Sequence, residues 1–268
     1  MIIDGRALAS EVLMDAKLRA EALHRRPNVL VYVAPEETAA TRSYLKIKAR
    51  SADAAGCDFE ETQSLISSSR ADAIIVQLPL PSEMNQEEVL NSIPLHQDAD
   101  VLSRAAREKF EQGAVDALLP PVVAAVREIF MQNDVDPRRK KAVVIGAGFL
   151  VGAPCATWLK QQGADVVIVT KESGTLTSAL KEADIIISGA GSPHLIKPDM
   201  LKQNVVLIDA GTSESNGEVV GDADPACAEK CLLFTPVPGG VGPLAVACLF
   251  ENAVTLAARS SPQGDALR

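Results

Sequence analysis

The chain has 268 residues, a formal net charge of −9 at pH 7 and a pI of about 4.9, and its densest basic run is residues 137–141. This balance argues against nucleic acid or an anionic membrane as a main partner, and neither a leader-like start nor an apolar stretch of about 20 residues is apparent. We therefore expect a cytoplasmic globular protein that is long enough for two lobes.

The first part of the chain predicts alternating helices and strands. Apolar periodicity predicts a helix over residues 8–23, a strand over 29–33 and a second helix over 38–55. Residues 73–76 (Ala-Ile-Ile-Val) form a continuous apolar run that leads into Leu-Pro-Leu-Pro, which is typical of a buried parallel strand that opens into a loop. No clear pattern covers residues 56–72.

A helix over residues 122–131 should lead into a second lobe. Beyond it, short apolar strands alternate with helical stretches, which is the pattern of a doubly wound parallel sheet. The predicted strands cover residues 142–145, 165–169, 184–188 and 205–209, and the predicted helices cover 151–162, 176–182 and 198–201. We expect an α/β fold with an N-terminal α/β catalytic domain (residues 1–120 with 243–268), a Rossmann-like nucleotide-binding domain (121–242) and a disordered tail (260–268).

A glycine-rich turn follows the first strand of the predicted second lobe. It carries Gly146, Gly148 and Gly152, with Ala147 and Val151 between them, and a helix follows. Glycines at such a turn let the backbone approach a pyrophosphate closely while the helix N-terminus faces the anion. Because the spacing is G-x-G-x-x-x-G and not G-x-G-x-x-G, a purely structural turn stays open as the alternative.

The end of the next strand bears on the choice of cofactor. Thr170, Lys171 and Ser173 lie where the acidic residue of an NAD-binding fold is expected, and a lysine there suits the 2′-phosphate of NADP. An exposed surface charge is the alternative for Lys171. We expect NADP as cofactor, with NAD as the alternative, and we expect Gly189 and Gly211 at the same rim of the sheet.

Residues 235–243 form a loop with three prolines and three glycines, a composition that neither a helix interior nor a paired strand accepts. The apolar run 244–258 follows and predicts a helix, with Pro243 in its first turn and Gly242 as a candidate cap. Two functions fit this composition. One is a rigid turn that starts a helix, and the other is a wall that a flat ligand approaches closely.

Four polar residues are candidates for catalysis. Tyr44 and Lys48 are four residues apart on a predicted helix and share a face, although such pairs are usually exposed and amphipathic. A lysine that acts as a base must be neutral, which requires burial or a positive neighbour, and the amide of Gln77 can hold it without fixing its charge. The carboxylate of Asp100 can pair with the edge of an amino-pyrimidine.

The scattered cysteines and histidines bear on disulfides and metals. An odd number of cysteines without a spacing pattern argues against a disulfide framework, so we expect them to be buried. The histidines are isolated in sequence, and we expect no metal site. The cysteines are Cys57, Cys155, Cys227, Cys231 and Cys248, and the histidines are His24, His96 and His194.

Several segments form an ordered set along the chain. They are residues 3–6 (Ile-Asp-Gly-Arg), 44–48 (Tyr-Leu-Lys-Ile-Lys), 76–81 (Val-Gln-Leu-Pro-Leu-Pro), 98–100 (Asp-Ala-Asp), the glycine turn at 146, 221–224 (Gly-Asp-Ala-Asp) and 235–243. In this order they resemble the bifunctional methylenetetrahydrofolate dehydrogenase/cyclohydrolase family, the FolD family. The resemblance spans nearly the whole chain.

The resemblance implies a two-lobed homodimer that binds tetrahydrofolate and carries NADP on its second lobe. It also implies two activities, oxidation of 5,10-methylenetetrahydrofolate and hydrolysis of the methenyl product to 10-formyltetrahydrofolate. In this family pattern Lys48 is the catalytic lysine and Gln77 tunes it. Tyr44 packs on the folate and Asp100 holds the pterin. The other implied substrate contacts are Leu78, Pro79, Pro238, Gly239 and Gly240.

The chain departs from the family pattern at several positions. The usual Gly-Arg-Ser is Gly-Ala-Gly at residues 146–148, which removes an arginine expected near the 2′-phosphate. The usual Asp-Val-Asp-Gly ends in Val101, Pro-Cys-Thr-Pro is Pro-Pro-Val at 120–122, and a usual threonine is Ala245. The stretch 56–73 is also shorter than is usual for the family.

Other functions remain open at this point. They are a monofunctional cyclohydrolase, an NAD-dependent dehydrogenase and a non-catalytic folate-binding or nucleotide-binding paralogue. The presence of Lys48 and Gln77 argues against the non-catalytic paralogue. A general amino-acid or shikimate-type dehydrogenase shares the two-lobed plan, but its chemistry does not call for the proline-glycine loop.

Overall fold

The structure, a computed structural model, describes residues 1–35, 38–64, 70–215 and 217–260. The chain divides into two compact units, which we name by their sheets. The three-stranded unit comprises Ala9–Pro121 and Val246–Arg268, and the five-stranded unit comprises Met1–Leu8 and Val122–Ala245. Apart from Ser260, the tail that the sequence predicts to be disordered lies outside the described residues.

The three-stranded unit contains a parallel sheet and the helices that pack against it. The strand order is β2-β1-β3, and Val31 in the central strand pairs with Glu61 on one side and Ile75 on the other. In chain order the elements are α1 (Gly5–Glu21, of which residues 9–21 belong to this unit), β1 (Asn28–Tyr32), α2 (Ala39–Ala54), β2 (Asp58–Thr62), β3 (Ala73–Val76), α3 (Gln86–Asn91) and α4 (Arg104–Glu111).

Polar side chains determine where three of these helices begin. Thr38 precedes α2, Asn85 precedes α3 and Ser103 precedes α4, and each side-chain oxygen accepts a hydrogen bond from the backbone N–H three residues later. Such caps satisfy N–H groups that have no partner within the helix. The cap at Thr38 therefore defines the start of the helix that carries Lys48.

The core of the three-stranded unit joins its sheet to the C-terminal helix of the chain. Val29 and Ile75 of the sheet are fully buried in one cluster with Phe250 of that helix. Within the same unit, the side-chain amide of Asn252 donates to the carbonyl oxygens of Ala99 and Leu119 at 2.9 Å each. These two bonds fix the backbone next to Asp100.

The five-stranded unit has the order of a doubly wound sheet. Its strands run β10-β7-β6-β4-β5, all parallel, and β8 and β9 form a separate antiparallel pair. The elements are α5 (Pro121–Gln132), β4 (Lys141–Ile145), α6 (Gly152–Gln161), β5 (Asp165–Val169), α7 (Leu176–Glu182), β6 (Ile185–Ser188), β7 (Val205–Asp209), β8 (Ser213–Ser215), β9 (Glu218–Val220), β10 (Cys231–Phe234) and α8 (Val241–Arg259, of which residues 246–259 belong to the three-stranded unit).

The predicted α/β fold is confirmed, with corrections to individual elements. The helix predicted over 198–201 is a single 3₁₀ turn, Pro198–Met200, because Pro198 starts a turn that no apolar periodicity continues. Helix α8 begins at Val241, so Gly242 lies inside its first turn and is not a cap. The sequence predicted that the apolar run starts at residue 244. Val241 is also apolar and buried, so the helix begins three residues earlier.

Six elements were absent from the sequence prediction. Strand β2 reads Asp-Phe-Glu-Glu-Thr and lies at a sheet edge, so its solvent-facing positions carry charge and the apolar signal is lost. Strand β10 is a four-residue apolar run immediately before the proline-glycine loop. The parallel sheet consequently has five strands where the sequence predicted four. The remaining missed elements are the short α3, α4, β8 and β9.

The first eight residues group with the five-stranded unit. The N–H of Ile3 donates to the carbonyl of Phe234, and the N–H of Phe234 donates to the carbonyl of Met1, at 2.9 Å in both cases. These bonds extend the sheet edge at β10. The assignment of residues 1–120 and 243–268 to a catalytic domain stays a prediction.

Helix α8 is the single helix of the described residues that could cross a membrane on length and composition, with a mean hydropathy of 1.6. This corrects the sequence-based statement that no apolar stretch of about 20 residues is apparent. Of the most apolar 18-residue window of this helix, 61% is buried inside the protein. Core helices share these properties, so the finding is weak evidence for a membrane span.

The cysteines are buried and form no disulfide, as the sequence predicts. Burial raises the pKa of the Cys57, Cys155 and Cys231 thiols to about 12 and that of Cys227 to about 11. These thiols are therefore protonated and unreactive at neutral pH. Within the described ranges, no group of three or more His, Cys, Asp or Glu side chains is arranged to hold a metal ion.

Candidate active site

Lys48 and Gln77 meet in the three-stranded unit. Lys48 lies on α2, and Gln77 directly follows β3, where its N–H donates to the carbonyl of Tyr32 at 2.9 Å. The Lys48 Nζ donates to the Gln77 Oε1 at 2.9 Å, and the Gln77 amide nitrogen donates to the carbonyl of Leu78. A helix and the end of a buried strand thus hold the two side chains in a defined geometry.

Burial favours the uncharged form of the Lys48 side chain. The side chain of Lys48 is partly buried and Gln77 is only 6% exposed. Burial lowers the pKa of the Lys48 ammonium, and the negative charge of Asp100 opposes this in part. An amide oxygen accepts a hydrogen bond from the amine without adding a charge. Lys48 therefore loses its proton more readily than an exposed lysine does.

Asp100 lies in a loop that a second carboxylate supports. Asp98 is 1% exposed and accepts hydrogen bonds from the N–H groups of Leu102 at 3.2 Å and Ser103 at 2.8 Å. Burial raises the pKa of Asp100 to about 6, although the positive charge of Lys48 acts in the opposite direction. Asp100 is consequently ionised at neutral pH and influences the protonation of Lys48.

Val101 adopts a backbone conformation that favours glycine. Its φ is 57°, in the left-handed region, and its side chain is 2% exposed. A β-branched residue in this region costs about 1–3 kcal/mol, and burial of its apolar side chain offsets part of that cost. The loop therefore keeps a glycine-type backbone at the position where the sequence departs from the family pattern.

Tyr44, Leu78 and Pro79 lie close to this pair in the sequence and differ in exposure. Tyr44 is 48% exposed and lies one helical turn before Lys48 on α2. Leu78 is partly buried, whereas Pro79 is exposed. An exposed tyrosine beside a partly buried amine offers a flat face on which an aromatic ring can stack.

The proline-glycine loop lies in the five-stranded unit, against the start of α1. The N–H of Gly5 donates to the carbonyl of Gly239 at 2.9 Å, and a Cβ at position 5 would lie 1.8 Å from the carbonyl oxygen of Gly240. Gly239 has a φ of 106°, Gly240 is buried and Pro238 is exposed. Backbone packs directly on backbone here, which requires glycine at these positions.

The glycine turn after β4 closes tightly at its ends and is open in the middle. Gly146 has a φ of 92°, and a Cβ at Gly152 would lie 2.0 Å from the carbonyl oxygen of Gly146. Nothing lies within 4 Å of a Cβ at Gly148. The residue before α6, Val151, provides no side-chain cap. The Ala153 N–H donates to the carbonyl of Gly148 at 3.0 Å and Pro154 has no N–H, so the start of the helix would attract an anion mainly through the positive end of its dipole. Ala147 is exposed in this turn. The open middle of the turn leaves room for a pyrophosphate.

The turn after β5 carries charges of both signs. The N–H of Thr170 donates to the Ser173 Oγ at 3.0 Å, and the Thr170 hydroxyl donates to the Glu172 carboxylate at 2.5 Å. Lys171 and Glu172 are both exposed. Glu172 lies three residues beyond the end of β5, so the strand end itself carries no acidic residue, as the sequence predicts. Both NADP and NAD remain compatible with the turn.

Two buried carboxylates lie beside Gly189 and Gly211, and the sequence analysis assigned them no role. Asp209 is 1% exposed and Asp222 is 0% exposed. The Gly211 N–H donates to Asp209 at 3.0 Å, and the Ser188 hydroxyl donates to Asp222 at 2.7 Å. Asp222 belongs to the Gly-Asp-Ala-Asp segment of the family pattern and Asp209 ends an apolar strand, but aspartates usually lie at the surface, so the sequence alone did not indicate that both are buried.

Substitution of Gln77 should change the pKa of Lys48 in a direction set by the charge of the new side chain. Gln77→Glu places an anion beside the amine and should raise the pKa of Lys48 by about one unit or more, whereas Gln77→Leu removes the acceptor and should lower it further. NMR titration of the lysine ¹³Cε resonances measures both shifts. The resonance of the exposed Lys46 on the same helix serves as control, and identical Lys48 titrations in all three proteins would contradict the prediction.

Comparison with known proteins identifies the family. The model of the family described as tetrahydrofolate dehydrogenase/cyclohydrolase, NAD(P)-binding domain, matches residues 120–261. A protein of Hydrogenobaculum sp. named bifunctional protein FolD is 32% identical over 268 residues, covering 94% of this chain and 96% of the relative. A second relative with this name, from Aquifex aeolicus, is 31% identical and covers 94% and 93%.

Two solved structures share the fold over nearly their whole length. The bifunctional FolD methylenetetrahydrofolate dehydrogenase/cyclohydrolase of Campylobacter jejuni is 29% identical, with a TM-score of 0.92 and coverage of 97% of this chain and 99% of that chain. The FolD enzyme of Trypanosoma brucei, solved with NADP cofactor and an inhibitor, is 28% identical, with a TM-score of 0.90 and coverage of 98% of both chains. The chain belongs to the tetrahydrofolate dehydrogenase/cyclohydrolase family, as the resemblance read from its sequence predicts.

Proposed function

We propose that the protein oxidises 5,10-methylenetetrahydrofolate to 5,10-methenyltetrahydrofolate with NADP and hydrolyses that product to 10-formyltetrahydrofolate. Membership of the family supports this pair of reactions. The observation on this chain that carries the proposal is the hydrogen bond between Lys48 and Gln77 together with the lowered pKa of the lysine.

The first reaction is a hydride transfer and depends mainly on orientation. The carbon that bridges two nitrogens of the substrate gives up a hydride with both electrons, for which NADP, when bound, would supply the acceptor. The substrate becomes a cation whose charge the two nitrogens share. Tyr44, Leu78, Pro79 and the loop residues 238–240 are the proposed folate contacts, and Asp100 is proposed to accept hydrogen bonds from the amino-pyrimidine edge.

The second reaction needs a base. Water adds to the methenyl carbon and gives up one proton to the base. The resulting hydroxyl then loses its proton as the carbonyl forms, and the bond from this carbon to N5 breaks with its electron pair and a proton going to N5, so that the formyl group stays on N10. A neutral Lys48 amine can accept the proton, and it does not repel the cationic substrate as an ammonium would. Gln77 acts as a positioning residue, because it holds the amine without supplying a charge that would keep it protonated.

Lys48→Met should abolish hydrolysis of the methenyl substrate while leaving nucleotide binding unchanged, because the substitution removes the base and keeps most of the side-chain volume. Spectrophotometric loss of the methenyl absorbance measures hydrolysis, and calorimetric titration measures NADP binding. Lys46→Met, an exposed lysine two residues earlier on the same helix, is the control and should hydrolyse at the native rate. Native hydrolysis in the Lys48 variant would refute the assigned function of the lysine.

The same assay separates the activities. Native protein that hydrolyses the methenyl substrate but does not oxidise the methylene substrate with either nucleotide would be a monofunctional cyclohydrolase.

NADP is the proposed cofactor of the five-stranded unit. The glycine turn, with Gly146, Gly148 and Gly152, is proposed to receive the pyrophosphate at the start of α6. Lys171 is the exposed cation proposed for the 2′-phosphate, with Thr170 and Ser173 beside it. Ala147, Val151, Gly189 and Gly211 complete the proposed nucleotide contacts. When bound, NADP supplies the hydride acceptor.

Lys171→Ala should weaken NADP binding by about tenfold and leave NAD binding unchanged, because only NADP carries the phosphate that the lysine would pair with. Calorimetric titration with each nucleotide measures the two affinities. Lys181→Ala removes an exposed lysine from α7 and serves as the control. Tighter binding of NAD than NADP by the native protein would contradict the cofactor assignment and favour the NAD-dependent alternative.

A homodimer is the proposed assembly, and the uncovered edge of the large sheet supports it. Val167 and Ile168 of β5 are 51% and 37% exposed, and among the described strands β5 pairs with β4 alone. The opposite edge at β10 is covered by the N-terminal residues through Phe234. An apolar strand edge that faces water favours association.

The net charge of −9 supports the absence of nucleic-acid and membrane partners. A cytoplasmic location stays a prediction.

Val167→Asp should convert the protein to a monomer, because a charge on β5 opposes burial of this edge. Light scattering coupled to gel filtration should give a native mass of twice 28.3 kDa and a variant mass near the single-chain value. Leu232→Asp introduces the same charge at an exposed position of β10 and should remain dimeric. A monomeric native protein would show that this assembly is wrong.

A further inference from the structure

Asp209 and Asp222 lie at the carboxyl end of the five-stranded sheet and have no cationic partner among the described residues. Both are at most 1% exposed, and neither forms an ion pair with a lysine or arginine of this part of the structure. Hydrogen bonds from backbone N–H and hydroxyl groups surround both carboxylates instead. Burial of an anion without a cation is costly, and such arrangements occur frequently at functional sites.

Asp222 holds the segment that follows β6. Its carboxylate accepts hydrogen bonds from the Ser188 hydroxyl, the Ala190 N–H and the Ser192 N–H, each at 2.7 Å. These three donors lie on both sides of Gly189 in the chain. Asp222 therefore fixes the path of the backbone from residue 188 to residue 192.

This segment packs against the glycine turn. A Cβ at Gly189 would lie 2.5 Å from the Val151 Cγ1, and a Cβ at Gly146 would lie 3.0 Å from the carbonyl oxygen of Gly189. The Gly189 N–H also donates to the carbonyl of Ile145 at 3.0 Å. A displacement of residues 188–192 would therefore move the turn that is proposed to receive the pyrophosphate.

Asp209 holds Asp222 in turn. Its carboxylate accepts hydrogen bonds from the N–H groups of Asp222 at 3.2 Å and Ala223 at 2.8 Å. A Cβ at Gly221 would lie 2.1 Å from the Asp209 carboxylate, and a Cβ at Gly211 would lie 2.2 Å from the Asp222 carboxyl carbon. Each carboxylate thus packs directly against the backbone of a glycine, and a side chain at either glycine would collide with the carboxylate.

We infer that Asp222 is a positioning residue for the nucleotide, acting through residues 188–192 on the glycine turn, with Asp209 as its support. The inference rests on the proposed function of the five-stranded unit. Asp222, and not the Gly-Asp-Ala-Asp segment as a whole, would thus contribute to dinucleotide binding without direct contact with the ligand. A shift of about 1 Å in such a surface is sufficient to weaken a bound ligand substantially.

Asp222→Asn tests the inference with minimal change in shape. One oxygen can still accept from Ser188 and Ala190, but the new amide group faces the Ser192 N–H, so one donor meets another. NADP binding should weaken about tenfold, while hydrolysis of the methenyl substrate without nucleotide should stay within about twofold of the native rate. Asp224→Asn, two residues later and outside this network, is the control and should bind NADP normally.

The outcomes distinguish this inference from the proposed function. Unchanged NADP affinity in folded Asp222→Asn overturns the inference, and so does a parallel loss of NADP binding, hydrolysis and melting temperature, which indicates a general structural effect. If Asp222→Asn does not fold, Ser188→Ala removes one donor and should weaken NADP about threefold, and native affinity in that variant overturns the inference. Native protein that binds neither NADP nor NAD contradicts the proposed function instead.

Discussion

The hydrogen bond from the Lys48 amine to the Gln77 amide oxygen is the interaction on which the proposed chemistry depends. Its geometry requires α2 and the end of β3 to be held rigidly, and the cap at Thr38 and the buried strand provide this. Partial burial lowers the pKa of the amine, and a neutral acceptor leaves that shift in place where a carboxylate at the same distance would reverse it. Asp100 is the nearby anion, and burial raises its own pKa to about 6, although the positive charge of Lys48 acts in the opposite direction.

Close contacts of glycine backbone recur at three places in the five-stranded unit. The proline-glycine loop packs on Gly5, the turn after β4 closes through Gly146 and Gly152, and the buried carboxylates are seated on Gly211 and Gly221. In each case the space is too small for a Cβ. Close backbone packing leaves N–H groups directed at fixed points, which suits recognition of phosphates and flat rings better than flexible side chains would. Val101 shows that the left-handed conformation can persist without glycine when the side chain is buried.

The two proposed reactions place different demands on the chain. Hydride transfer creates a cation and needs orientation of two rings, which the rigid backbone surfaces can supply. Hydrolysis of that cation needs an uncharged base, and the partly buried Lys48 meets this requirement. The four candidate residues Tyr44, Lys48, Gln77 and Asp100 match the family pattern, whereas the arginine expected near the 2′-phosphate is missing at Ala147. The residues proposed for hydrolysis are therefore better preserved in this chain than the contacts expected for the 2′-phosphate.

The sequence by itself determined the α/β class, most of the helices and strands, the glycine turn and the candidate residues of the site, because apolar periodicity and the positions of glycine and proline are local properties. It did not reveal β2, whose edge position replaces apolar residues by charged ones, or β10, which is only four residues long. Only the tertiary structure decided that the Lys48 amine is partly buried on a neutral acceptor and that Asp222 holds the backbone beside the glycine turn. Lys48 and Gln77 are 29 residues apart, and Ser188 and Asp222 are 34 apart. Their contacts, and the burial that shifts the pKa of the lysine, exist only once the folded chain has brought distant segments together.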